Sequence, residues 1–99
     1  MATVLEALPA AGEEARAAAR WYRQRNPIAA AAFEVEVRRA FGEISKSPDA
    51  RPVHVEGTRR FLLRRFPYEV VYRIYPDRVL IVAVAHCKRK PGYWSDRVG

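Results

Sequence analysis

The side chains best suited to chemistry or charge recognition crowd into the second half of this sequence. An apolar run from Val79 to Ala85 ends in His86; Lys88, Arg89 and Lys90 follow at once, then Pro91, the pair Tyr93-Trp94 and Arg97. Upstream, Arg59-Arg60 and Arg64-Arg65 bracket Phe61-Leu62-Leu63. An imidazole with an unperturbed pKa of roughly 6.5 suits acid–base work near neutrality. Arginine presents a planar fork of donors that fits phosphate or carboxylate, and aromatic groups beside cations can stack on bases or anchor an interface. Each feature also has a plainer explanation. A histidine closing a strand is more simply a hydrogen-bonded cap, an arginine run on a strand is ordinarily a solvated face, and Tyr22, Tyr72 and Trp94 are expected in the core. Cys87 has Lys88 and Arg89 beside it, which would draw its thiol pKa down, yet it lacks a His/Asp partner for nucleophilic work. His54, His86 and that one cysteine are too few for a zinc site, so no metal or cofactor is expected.

The charge distribution points the same way. The formal net charge is +7, from 18 Arg and Lys against 11 Asp and Glu. Residues 1–50 carry seven of each sign, whereas residues 51–99 carry eleven cations against Glu56, Glu69, Asp77 and Asp96. An excess confined to one half implies a polyanion or an acidic protein as partner, attracted over long range and weakened by salt. With 99 residues, 49% apolar and 29% charged, the chain has room for one folded domain spanning 1–99. One cysteine permits no intramolecular disulfide, the opening MATVLEALP lacks the basic region of a signal peptide, and the strictly apolar run 79–85 is too short to span a bilayer. A cytoplasmic location with no membrane association is expected.

Elements that could position these groups are legible from periodicity. Thr3 to Leu8 is short, apolar and partly β-branched, and Pro9 stops it, which predicts a strand. Residues 10–24 place Ala11, Ala15, Ala18, Ala19 and Tyr22 on one helical stripe, with Glu13 and Glu14 near the positive helix start. Asn26-Pro27 supplies an N-cap and a first-turn proline for a second helix. Its stripe is Phe33, Val37, Ala40, Phe41 and Ile44, with Lys46 and Pro48 at its end. So brief a connection predicts an antiparallel hairpin. After a polar loop over 49–57, three strands are predicted, Arg59–Phe66, Tyr68–Tyr75 and Arg78–His86, with turns at Pro67 and at Pro76-Asp77. The third, apolar on both faces, should be central. The fold class is therefore α+β: an N-terminal strand, a helix hairpin and a three-stranded antiparallel meander, forming a curved sheet covered by helices on one side and open on the other.

The stretch 64–97, RRFPYEVVYRIYPDRVLIVAVAHCKRKPGYWSDR, adds a more specific signal. Arg65-Phe66-Pro67-Tyr68, alternation to Tyr72, a charged turn, an apolar strand ending in His86, then Arg89, Pro91, Tyr93-Trp94 and Arg97 resemble the C-terminal half of the RelE/ParE superfamily, the toxins of type II toxin–antitoxin modules. Ala18-Ala19-Arg20-Trp21-Tyr22, before a short break and a second helix, is similar to the helical hairpin of that family, so the resemblance covers roughly residues 3–97. It implies a cognate antitoxin whose acidic or amphipathic segment wraps the toxin in a hetero-oligomer.

The resemblance also implies two alternative activities. RelE-like members cut mRNA on the ribosome, whereas ParE-like members inhibit DNA gyrase and carry no recognised nuclease residues. Where the RelE-type pattern has two alternating lysines and an arginine after the turn's tyrosine, this sequence reads Arg60, Leu62 and Glu69. The expectation therefore leans to gyrase. The runner-up is an endoribonuclease using Arg65, His86, Arg89 and Tyr93 to clamp phosphate and shuttle a proton. Under either mechanism the expected target-binding set is Arg60, Arg64, Arg65, Lys88, Arg89, Lys90, Tyr93 and Arg97. A third expectation, from another class, is a non-toxic nucleic-acid-binding or autoregulatory module.

Overall fold

The structure, a computed structural model, describes residues 4–98. Thr3, where the sequence starts the first strand, lies outside them. In chain order the elements are β1 (Leu5–Ala7), α1 (Pro9–Arg25), α2 (Pro27–Lys46), β2 (Arg59–Leu62), β3 (Tyr68–Ile74) and β4 (Val79–His86). The sheet order is β1-β4-β3-β2; β4, β3 and β2 form the antiparallel meander, and β1 runs parallel to β4.

One residue makes the helix hairpin. The Asn26 N–H closes α1 on Tyr22 O at 2.6 Å, while its Oδ1 accepts from the N–H groups of Ile28 and Ala29 at 3.1 and 3.3 Å. It is at once the end of one helix and the side-chain cap of the next, and Pro27 in the first turn needs no N–H partner. Ala11, Ala18 and Ala19 of α1 and Phe33, Val37, Ala40 and Ile44 of α2 are buried against Val70, Tyr72, Val79, Ile81 and Val84 of the sheet. The small residues of α1 let its backbone settle close on β4. Glu13 and Glu14 fall beyond the first turn of α1, where the helix dipole has little hold.

Three features differ from what the sequence predicts. β2 ends at Leu62 instead of Phe66: Leu63 N–H still donates to Tyr68 O at 3.0 Å, and beyond it the Glu36 carboxylate on α2 accepts the N–H groups of Arg64 and Arg65, at 3.0 and 3.4 Å, turning the chain out of the ladder. The loop 48–57 is organised by two short 3-10 turns, with Glu56 and Gly57 both at positive φ. The sheet face away from the helices is open only in part: Trp94 and Val98 of the C-terminal segment pack on Val71, Leu80, Val82 and Ala83. That cover explains why β4 is apolar on both faces.

Candidate functional site

The C-terminal segment is docked at a place where the sheet runs short. Leu8 donates its N–H to Ile81 O at 3.0 Å, and there the chain leaves β1 to begin α1. Between the pairs Val71–Ala83 and Tyr72–Ile81, β4 has one residue more than β3, so Val82 is a bulge. A bulge shifts the phase of the ladder. Two side chains take up groups at the bulge and beyond it: Val82 O accepts from Arg97 Nη1 at 3.1 Å, and Val84 N–H donates to Glu14 Oε1 at 3.0 Å.

Those two side chains also hold each other. Arg97 reaches Glu14 Oε1 through Nη1 at 3.0 Å and Oε2 through Nη2 at 3.1 Å, a bidentate pair. The Tyr93 hydroxyl donates to Oε2 at 2.5 Å, and Arg89 Nη1 lies 3.4 Å from the same oxygen. The Arg89 guanidinium carbon sits 3.7 Å from the Tyr93 ring centre and that of Arg97 5.2 Å. Burial pushes the Glu14 carboxyl up, but hydrogen bonds from Arg97, Tyr93 and Val84 outweigh it and hold the group below its ordinary value. Burial, and then the Glu14 carboxylate, pushes the Tyr93 phenol far up. Tyr93 is therefore a fixed donor, and Arg97 faces inward with 22% of its side chain exposed. Arg89 keeps 55% of its side chain in solvent.

Arg60, Arg89 and Lys90 line one cleft of about 500 Å³ on the sheet face away from the helices. Glu69 stands in it, 3.7 Å from Arg60, so the cationic lining is broken by a carboxylate. Cys87 lines the same cleft. Contrary to the expectation from its cationic neighbours, its thiol is pushed up, by burial first and by the Glu69 charge second. His86 and Arg89 line a separate cavity of about 630 Å³ with Trp21 and Tyr68. The Nδ1 of His86 accepts the Lys88 N–H at 3.0 Å and its ring stands edge-on to Tyr68 at 5.0 Å, so the histidine caps its turn.

The remaining candidates lie elsewhere. Arg65 Nε pairs with Glu36 Oε2 at 3.1 Å on the helix side, and Arg64 is exposed on the same turn. Lys88 is exposed in the turn after β4. Of the eight expected target-binding residues, three thus share the cleft, Tyr93 and Arg97 surround Glu14, and Arg64 and Arg65 belong to the 63–67 turn. Of the expected catalytic set, His86 and Arg89 meet, while Arg65 is held by α2 and the hydroxyl of Tyr93 is taken.

Between the helices runs a further groove, about 400 Å³, floored by Ala15, Ala19, Phe33 and Val37 and rimmed by Arg16, Arg20, Arg23 and Arg38, with Glu34 among them. Glu14 and Glu36 are what the sequence reading misses. Both sit on inward stripes, Glu14 three residues after Ala11 and four before Ala18, Glu36 three after Phe33 and four before Ala40. A carboxylate on such a stripe needs a partner, and that is the signal that points to them.

Among the described residues no helix is long and apolar enough to cross a membrane, and no cluster of three or more His, Cys, Asp or Glu could hold a metal. A family profile described as the ParE toxin of type II toxin–antitoxin systems, parDE, matches residues 5–91. No curated protein matches. Among solved structures, a chain of the chromosomal ParDE toxin–antitoxin system from P. aeruginosa superposes with a TM-score of 0.75 at 18% identity, over 85% of this chain and 95% of that one. A chain of the toxin–antitoxin complex RelBE2 from Mycobacterium tuberculosis superposes with a TM-score of 0.55 at 26% identity, over 87% and 92%.

Proposed function

Because this chain belongs to the ParE toxin family of type II toxin–antitoxin systems, we propose that it arrests growth by binding DNA gyrase through the segment from His86 to Arg97, with Arg89 as the principal anchor. The observation that carries this reading over RNA cleavage is the cleft itself. A site that cleaves RNA needs cations converging on the scissile phosphate, and here Glu69 stands beside Arg60 at 3.7 Å, where it would repel one. The committed Tyr93 hydroxyl supports the same side, since a phenol pushed so far up is a poor proton carrier near neutrality. One observation favours the second reading, a ribosome-dependent endonuclease: His86 and Arg89 line a common cavity.

The partner that would neutralise such a toxin is an antitoxin. The groove between the helices has an apolar floor and a rim of four arginines, which suits an amphipathic acidic helix. Association is expected to slow as salt rises from 50 to 500 mM, as charge steering requires.

The deciding experiment sets purified toxin in a gyrase supercoiling assay beside an mRNA cleavage assay on translating ribosomes. Supercoiling is expected to stop with mRNA intact, and Arg89→Ala to weaken that inhibition by about 30-fold, the loss of an interface anchor worth about 2 kcal/mol. Cleavage that disappears in His86→Ala would establish the endonuclease instead.

A further inference from the structure

We propose that Glu14 is a positioning residue for target binding: from α1 it fixes Arg89, directly and through the Tyr93 ring on which Arg89 stacks, in the pose that meets the target. This rests on the reading of that segment as the target-binding one. Glu14 has no need to touch the target itself.

The division of labour between its two oxygens is the ground for this. Oε1 caps the Val84 N–H and takes one Arg97 nitrogen, which suffices to close the stretch of β4 that lies beyond the end of β1. Oε2 takes the other Arg97 nitrogen and, in addition, both the Tyr93 hydroxyl and Arg89 Nη1. The latter two come from the turn that follows β4 and have no part in capping it. Arg89 is thereby held at one end by a carboxylate and along its plane by the Tyr93 ring at 3.7 Å, while 55% of its side chain stays in solvent. An arginine so placed has its rotamer chosen before the partner arrives. Ordering a long side chain on binding otherwise costs up to about tenfold in affinity.

The neighbourhood of Glu14 supplies a way to tell positioning from plain stabilisation. Ala15, Arg16, Ala19 and Arg20, on another flank of the same helix, line the groove assigned to the antitoxin. A fold defect at Glu14 would damage both surfaces. A positioning defect would damage only the target-binding one.

The test is Glu14→Gln, which keeps an acceptor for Val84 and nearly the same volume but removes the charge. Antitoxin affinity of the folded protein is expected to stay within about twofold of wild type and melting to fall with the loss of the Glu14–Arg97 pair, while target inhibition per folded molecule falls by about tenfold. In an Arg89→Ala background Glu14→Gln should cost nothing further, because it acts through Arg89. Undiminished inhibition by Glu14→Gln, or losses that multiply in the double variant, would overturn the proposal. The same cycle is scored in parallel by growth arrest at matched soluble expression. Should wild type leave supercoiling untouched yet arrest growth, the gyrase reading alone fails and the growth cycle decides on Glu14. If Glu14→Gln does not fold, Tyr93→Phe carries the test, since it removes only the hydroxyl that reaches Oε2. It should weaken inhibition in the wild-type background and not in Arg89→Ala, and full inhibition by it overturns the proposal.

Discussion

Two segments of this molecule are held by a carboxylate reaching across from a helix, and the two are held differently. The turn 63–67 is tied to Glu36 of α2, whose side chain is 8% exposed and accepts two backbone N–H groups as well as Arg65 Nε. The segment after β4 is tied to Glu14 of α1, 15% exposed, which accepts one backbone N–H from β4 and otherwise only side chains. A carboxylate bound to backbone fixes the path of a turn. One bound to side chains fixes functional groups and leaves their far ends free. Arg65 is 73% exposed and adds little to the first clasp, since ion pairs open to water are weak. Arg97 is 22% exposed and contributes more to the second. Both carboxylates should therefore matter to stability, and Glu14 alone to activity as well.

The sharpest challenge to that contrast comes from Trp94, because it makes the C-terminal segment structural too. The residue is 5% exposed and covers Val71, Leu80, Val82 and Ala83 on the sheet face that the helices do not reach. Trp94→Ala is expected to cost about 3 kcal/mol in urea unfolding, at the low end for a buried tryptophan because one layer of chain, not a full core, lies over it. A cost under about 1 kcal/mol would mean that the segment is an appendage and that the Glu14 clasp is all that holds it. Next in size is Glu36→Ala, which strands the N–H groups of Arg64 and Arg65. About 2 kcal/mol is expected, with target inhibition per folded molecule unchanged. Loss of inhibition at full folding would break the division between the two clasps.

Much of this arrangement is legible in the sequence, and the gaps have physical causes. Asn26-Pro27 announces the helix hairpin because both of its jobs, capping and starting, are local. Alternation in Tyr68–Ile74 and the unbroken apolar run of Val79–Ala85 announce a strand with one solvent-leaning face and a strand buried on both. The end of β2 is not announced, because it is set by Glu36, 28 residues from Arg64 in the chain. Nor is the parallel pairing of β1 with β4, since three residues such as Leu5–Ala7 carry no partner information. Of the candidate site, the cationic turn Lys88-Arg89-Lys90 stands out at once by charge. That Arg97 and Tyr93 spend their polar groups on Glu14, 83 and 79 residues away, is a fact of packing that no local pattern holds.

Acid should reveal the shared part of the two clasps. In each, burial raises the carboxyl and its hydrogen-bonding partners lower it further, so that both groups end below the ordinary value of 4.5. A folded-state value below the unfolded one means that the unfolded chain binds the proton more readily. The stabilisation is thus complete above about pH 5 and is lost as the pH falls through 4.5 and on through the folded-state values. Glu36→Gln, less stable at pH 7, should lose less than wild type between pH 5 and 3. Parallel pH profiles for the two proteins would show that Glu36 does not titrate as a clasp.

The smallest expected effect is the coupling between the clasps. Glu14 and Glu36 lie on different helices and share no hydrogen-bonding partner; Glu14 answers to Val84, Arg89, Tyr93 and Arg97, Glu36 to Arg64 and Arg65. One backbone bond joins the segments they hold, Cys87 N–H to Pro67 O at 2.8 Å. Side-chain changes leave that bond in place. The stability losses of Glu14→Gln and Glu36→Gln should accordingly add to within about 0.5 kcal/mol in the double variant, as they do for sites without shared contacts. A coupling above about 1 kcal/mol would require the Pro67–Cys87 junction to transmit strain from one clasp to the other. Hydrogen exchange at the Cys87 amide would then locate it, protected in wild type and open in both single variants. If the losses add and that amide stays protected, the two clasps are independent devices on one sheet.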